Sequence, residues 1–193
     1  MNTEQVMKIF QQNAALLSGH FLLSGGLHSE QYLQCARVLE NPQISEQLAR
    51  SLSAKFQDQR INTVIGPATG GIILAYELAR AWGARALFAE RENGQMGLRR
   101  GFSLSPRDRV VVAEDVITTG GSVKEVIELV QARGAQLIGV AALVDRSAAD
   151  IDFGVRCATL LKLKIQNFTP ENCPLCRQGI KLVKPGSRDP DAK

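Results

Sequence analysis

Apolar, β-branched runs alternate with amphipathic helical patterns along this chain, which predicts an α/β fold with a mostly parallel central sheet flanked by helices. Three observations carry that prediction. Strands are read at Ile61 to Gly66, Val110 to Ala113 and Leu137 to Val144, and the last two are apolar without alternation, as in strands buried on both faces. Helical spacing follows the first two, at Ile72 to Trp82 and at Val123, Val126, Ile127 and Val130. The links are short and glycine-rich, so strand, helix and strand close into parallel βαβ units of about four or five strands.

The 193 residues, 45% of them apolar, fit a single domain. It divides into residues 1–58 (N-terminal helices and a hairpin), 59–166 (a core) and 167–193 (a cysteine-containing tail). The longest apolar runs are too short to span a membrane, and the polar N-terminus does not read as a signal peptide, so a cytoplasmic setting is expected. A net charge of +4 from scattered basic residues does not demand nucleic acid and suits an anionic small molecule.

The most informative stretch is Val110 to Ser122. A buried strand runs into Glu114 and Asp115, then Thr118-Thr119-Gly120-Gly121-Ser122, then a helix for which Ser122 and Glu125 have capping-box spacing. Unpaired amides and a positive dipole end at such a turn suit a phosphate, and the hydroxyls add donors. The two carboxylates suit ribose hydroxyls or a Mg²⁺ that carries a pyrophosphate. One ligand uses all of this: a sugar phosphate with a diol and a diphosphate. No Gly-Lys-Ser/Thr Walker loop and no Gly-x-Gly-x-x-Gly turn is present.

Elsewhere the chain reads as follows. Thr3 caps a first helix running to about Leu17, with Val6, Phe10 and Ala14 on one face and Gly19 as its stop. A hairpin spans His20 to Tyr32 with its turn at Ser24-Gly25-Gly26, and His28 is either an exposed loop imidazole or a substrate contact. Asn41-Pro42 precedes a second helix with Ile44, Leu48, Leu52 and Phe56 on one face. Pro67-Ala68-Thr69-Gly70-Gly71 leaves its strand on the same sheet edge as the Val110 motif, where open parallel sheets bind ligands. Glu90 to Arg107 holds a hairpin tip, with Arg99 and Arg100 either a surface pair or catalytic. Asp145-Arg146 ends the Leu137 strand on that edge, and Arg146 is either a bidentate carboxylate partner or a surface ion pair. A last alternating strand carries Leu161, Leu163 and Ile165. Cys35 and Cys157 read as small buried residues. Cys173 and Cys176 supply two ligands where a structural zinc needs four, and a turn around Pro174, zinc shared across a dimer or a labile disulfide are the alternatives. Residues 184–193 are polar and expected to be disordered.

The Val110–Ser122 run resembles the phosphoribosyl-diphosphate (PRPP) motif of type I phosphoribosyltransferases. The hairpin is similar to the N-terminal segment of orotate phosphoribosyltransferases, matching at Phe21, Leu23, Gly26, Ser29 and Tyr32. A divergent branch of that family ends in Cys-Pro-Leu-Cys followed by Lys-Pro-Gly-Ser-Arg, which Cys173 to Cys176 and Lys184 to Arg188 match. The resemblance implies the type I phosphoribosyltransferase fold with a small N-terminal hood over the base.

It also implies PRPP and orotate as substrates, orotidine 5′-phosphate and pyrophosphate as products, Mg²⁺ held mainly through PRPP rather than by protein side chains, and a homodimer. Glu114, Asp115 and Arg91 are then the expected catalytic residues. PRPP is expected at Ala68, Thr69, Gly70 and Gly71 (often through a non-proline cis peptide) and at Glu114, Asp115 and Thr118 to Ser122. The base is expected at Arg146, Thr118, Ser24, Gly25 and Gly26.

Departures are clear. Ser24 stands where many members have lysine, and Gly25 replaces a serine. Glu90 and Arg91 replace the Arg-Lys of Arg-Lys-Glu, and the loop histidine is missing. Arg91 can stabilise leaving charge but cannot act as an acid. Two alternatives stand beside this reading: transfer to a purine or uracil, and a PRPP-sensing regulator without chemistry.

Overall fold

The computed structural model describes residues 1–23 and 26–185. The chain runs α1 (Thr3–Gln12), β1 (Leu16–Leu22), β2 (His28–Leu33), α2 (Ala36–Leu39), α3 (Pro42–Ser53), β3 (Thr63–Pro67), α4 (Gly70–Trp82), β4 (Arg85–Glu92) and β5 (Gln95–Leu98). It continues through β6 (Arg109–Ile117), α5 (Gly121–Ala132), β7 (Gln136–Asp145), β8 (Arg156–Lys162), β9 (Asn167–Phe168) and α6 (Pro174–Arg177).

Six strands form the main sheet in the order β5-β4-β3-β6-β7-β8, all parallel except the β5 edge. Strand β6 is central and buried on both faces. Val111 and Ala113 face the core shared by α1, α3 and α4, with Phe10, Leu48, Leu52, Phe56, Leu74 and Leu78. Val110 and Val112 face the core built on α5, with Val123, Val126, Ile127 and Val130. Phe10 and Phe56 are fully buried, and truncating either to alanine would cost about 3–5 kcal/mol.

The two helices that follow the neighbouring strands β3 and β6 therefore leave on opposite faces of the sheet. Such a reversal opens a crevice at the strands' C-terminal ends. It is this topology, with the antiparallel β4–β5 hairpin sending the chain back to β3, that positions the site.

Several expectations are corrected. The first helix is capped by Asn2, not Thr3, and ends at Gln12. Leu17 and Gly19 belong instead to β1, since Ala14 turns at positive φ and frees the chain to pair with β2. The sheet has one antiparallel edge strand more than expected. The last main-sheet strand ends at Lys162, before Leu163 and Ile165. Cys157 lies exposed on that edge strand, whereas Cys35 is buried as expected.

Beside the main sheet, β1, β2 and β9 form a small antiparallel sheet, so residues 167–168 join the N-terminal hairpin. Val183 extends this union: its N–H donates to the His20 carbonyl and its carbonyl accepts from the Leu22 N–H, both at 2.8 Å. Among the described residues no helix is long and apolar enough to cross a membrane.

Candidate active site

Three loops meet at the C-terminal edge of the sheet. The first follows β3: Pro67 to Gly71, with a cis peptide between Ala68 and Thr69. The second is Thr118 to Ser122 after β6, and the third is Asp145-Arg146 after β7. Register brings them level. Ile117 pairs with Asp145, and the Arg146 N–H donates to the Ile117 carbonyl at 2.9 Å.

The first loop touches the acidic end of β6 through Gly70. A Cβ at this position would lie 2.6 Å from Asp115 Cγ, so only glycine lets the α4 N-terminus come this near the acidic pair. Gly71 is equally confined, as a Cβ there would lie 2.8 Å from the Ala113 carbonyl oxygen. Both glycines of the turn are thus required by close approach rather than by φ.

Glu114 is buried and Asp115 half-buried. Glu114 Oε1 accepts from the Asp115 N–H at 3.1 Å, and Asp115 Oδ1 accepts from the Val116 N–H at 3.0 Å. Burial, and then the hydrogen bond and negative charge of Asp115, push the Glu114 carboxyl up to about 9. Near neutral pH the free pair therefore holds a proton. Positive charge arriving beside it would favour the doubly ionised form, and this is the sense in which the donors present fit a metal-bearing diphosphate or a cationic sugar.

The turn after β6 borders a small open cleft of about 40 Å³ lined by Glu114, Val116 to Gly121, Ser122 and Val123. Gly120, at φ 75°, caps α5, whose first amides have no partner within the helix. Ile151 and Phe153 support it from behind, within about 3.2 Å of where a Cβ would stand. The expected capping box between Ser122 and Glu125 does not form, because α5 starts at Gly121 and Glu125 pairs elsewhere.

That partner is Arg91, whose guanidinium donates to Glu125 at 2.7 Å and to the Gly94 carbonyl at 2.9 Å. Arg99 pairs with Glu92, and Arg100 pairs with Glu90 at 3.0 Å while stacking on Phe88. The hairpin arginines thus pair with acids of the hairpin or of α5. Arg146 is half-buried, and that burial lowers its pKa from the usual range. The charge interaction with Tyr32 of β2 opposes the shift. Gly26 closes that hairpin at φ 79°, while Ser24 and Gly25 lie outside the described residues.

The expectation for His28, an exposed loop imidazole or a substrate contact, is corrected. His20 and His28 are buried, and both face Cys173 and Cys176 rather than solvent or the crevice. The spacing of each pair was visible, but their meeting depends on the β1–β2–β9 register and the Val183 bridge.

A family model for the phosphoribosyl transferase domain matches residues 34–152. The chain is 57% identical over 188 residues to the orotate phosphoribosyltransferase of Caldanaerobacter subterraneus subsp. tengcongensis, covering 97% of this chain and 99% of that one. Identity to the orotate phosphoribosyltransferase of Desulforamulus reducens is 54%, over 97% and 98% of the two chains. The crystal structure of orotate phosphoribosyltransferase from Aeropyrum pernix superposes with a TM-score of 0.69 at 29% identity, over 82% of this chain and 94% of that chain. Fold, crevice and sequence agree, and the chain belongs to the phosphoribosyltransferase family, among its orotate phosphoribosyltransferases.

Proposed function

We propose that this chain, as a single domain over residues 1–193, transfers the phosphoribosyl group of PRPP to orotate, giving orotidine 5′-phosphate and pyrophosphate for pyrimidine (UMP) synthesis. The observation that carries the reading is the close approach of the Pro67–Gly71 turn to the acidic end of β6, through Gly70 and Asp115, at one crevice. A ring nitrogen of orotate forms a bond to C1′ as the C1′–oxygen bond to the diphosphate breaks, and the electron pair leaves on the diphosphate.

Charge develops on both sides of C1′, and preorganised groups stabilise it there. Glu114 and Asp115 hold the ribose diol beside the developing cation. Thr118 to Ser122 anchor the 5′-phosphate on the α5 amides and fix the distance of attack. The Ala68 to Gly71 turn receives the diphosphate. Mg²⁺, held chiefly through the diphosphate beside Asp115, supplies offsetting charge when bound. Such positive charge would favour the ionised form of the Glu114–Asp115 pair. Arg91 takes up leaving charge once it parts from Glu125.

Arg146 is a partly desolvated cation, which suits the carboxylate of orotate, and Thr118 with the Ser24–Gly26 turn completes the base site. A homodimer belongs to this reading, with the β4–β5 hairpin reaching a neighbouring site. Ile73 and Tyr76, exposed on α4, offer apolar surface for the contact. The four free thiols suit a reducing, cytoplasmic setting.

The test is pyrophosphate release from PRPP and Mg²⁺ with orotate, uracil, adenine, hypoxanthine or xanthine. Turnover with orotate alone is expected. Turnover with a purine or uracil instead would reassign the base, and PRPP binding without release for any base would make the chain a sensor.

A further inference from the structure

Away from the crevice, His20 on β1, His28 on β2, and Cys173 and Cys176 flanking the start of α6 turn their donor atoms toward one point. All four atoms lie within 4.8 Å of one another. His20 Nε2 is 3.0 Å from His28 Nδ1, 3.4 Å from Cys173 Sγ and 3.7 Å from Cys176 Sγ, and Cys176 Sγ is 3.2 Å from His28 Nδ1. With metal–sulfur bonds of about 2.3 Å and metal–nitrogen bonds of about 2.0–2.1 Å, the edges of an S₂N₂ tetrahedron are roughly 3.3–3.8 Å. The four edges just given match those dimensions to within a few tenths of an ångström, and the other two are no longer than 4.8 Å.

Hydrogen bonding does not account for the convergence. His20 Nδ1 lies 2.7 Å from the Ile180 carbonyl, which can only accept, so the ring proton is on Nδ1 and Nε2 carries a single lone pair. One lone pair takes one good hydrogen bond, yet an imidazole and two thiols crowd around it. A cation at the centre satisfies every lone pair together. The Nδ1–H bond to a backbone carbonyl is also the outer contact that orients a metal-binding histidine. Burial supports the same conclusion, with His20 at 2%, His28 at 5% and Cys173 at 0% exposure, while the exposed Cys176 leaves a path for loading.

We propose that His20, His28, Cys173 and Cys176 form a closed tetrahedral site for a thiophilic divalent ion, zinc by the chemistry of its donors. All four positions are filled by protein, so the site is structural. The ion joins residues separated by some 150 positions (Cys173 lies 153 from His20) and fastens the tail to the hood hairpin whose β2 strand carries Tyr32 toward Arg146. Binding displaces two thiol protons and stabilises the folded chain over the unfolded one. The proposal does not depend on which base the enzyme uses.

The test is metal analysis of the full chain purified under reducing conditions without chelator, followed by replacement with Co²⁺. Expected are roughly one zinc per chain and visible absorption characteristic of tetrahedral, thiolate-bound cobalt. Removing the metal with a strong chelator should lower the melting temperature, and zinc should restore it. Cys176→Ser, at an exposed position, keeps the fold and should lose the cobalt–thiolate bands, as should Cys173→Ser. The proposal is overturned if the parent takes up neither zinc nor cobalt, if both serine variants bind as tightly as the parent, or if Cys173 and Cys176 prove to be joined by a disulfide.

Discussion

The crevice and the His/Cys cluster solve one electrostatic problem in opposite ways. At the crevice, two carboxylates adjacent in sequence are forced together by a strand end, and one keeps a proton until positive charge arrives. At the cluster, four donors are gathered from two ends of the chain to within 4.8 Å of one another. The first arrangement is local in sequence and open to a substrate. The second is distant in sequence and closed by protein. The acidic pair and the glycine turn lie within thirteen consecutive residues, whereas the members of the cluster meet only through the whole fold.

Three substitutions test that contrast, beginning with the largest effect. Asp115→Asn is expected to lower kcat by about a hundredfold or more, since it removes charge beside the developing cation. Its melting temperature and its metal content at the cluster should match the parent's. Near-parental turnover would remove the role given to Asp115, and lost metal would show that the two regions are not independent.

Gly70→Ala comes next. Its methyl group must displace the Asp115 carboxylate, and misplacement of about 1 Å can cost up to about a hundredfold, so kcat/KM should fall roughly ten- to hundredfold. PRPP affinity measured by calorimetry should weaken in parallel. A variant that binds and turns over normally would mean that the two loops do not act as one site.

The mildest concerns pH. Between the ordinary glutamate value of 4.5 and about 9, the folded chain holds a proton on Glu114 that the unfolded chain has lost. Stability of the ligand-free protein therefore declines as pH rises through that window. Thermal melts of Glu114→Gln should show a flatter decline than the parent. Equal slopes in the two proteins would place the proton elsewhere.

Much of the site was legible because it is local. The Val110 run, the diacid and the Thr-Thr-Gly-Gly-Ser turn announce strand, acid pair and helix-opening turn in order, and α4 ends at Gly83 in the left-handed conformation as its pattern implied. Boundaries were less legible where two local signals competed. Leu16 and Leu17 continue a helical spacing, yet they pair with Leu33 and Tyr32, because β-pairing outweighs the propensity of a single turn. Glu125 has capping-box spacing but bonds Arg91 on a strand 34 residues away. The reason Gly70 must be glycine was equally hidden, since it lies in a carboxylate delivered by another strand.

By itself the sequence determined the alternation of buried strands and helices, the glycine turn that opens α5 and the adjacency of the acidic pair, because each depends on residues within a few positions of one another. The tertiary structure alone decided which loops touch, which cation each acid meets, and that two histidines and two cysteines share one centre. Those outcomes depend on strand register and crossover, and contacts that span most of a chain leave no periodic trace in it.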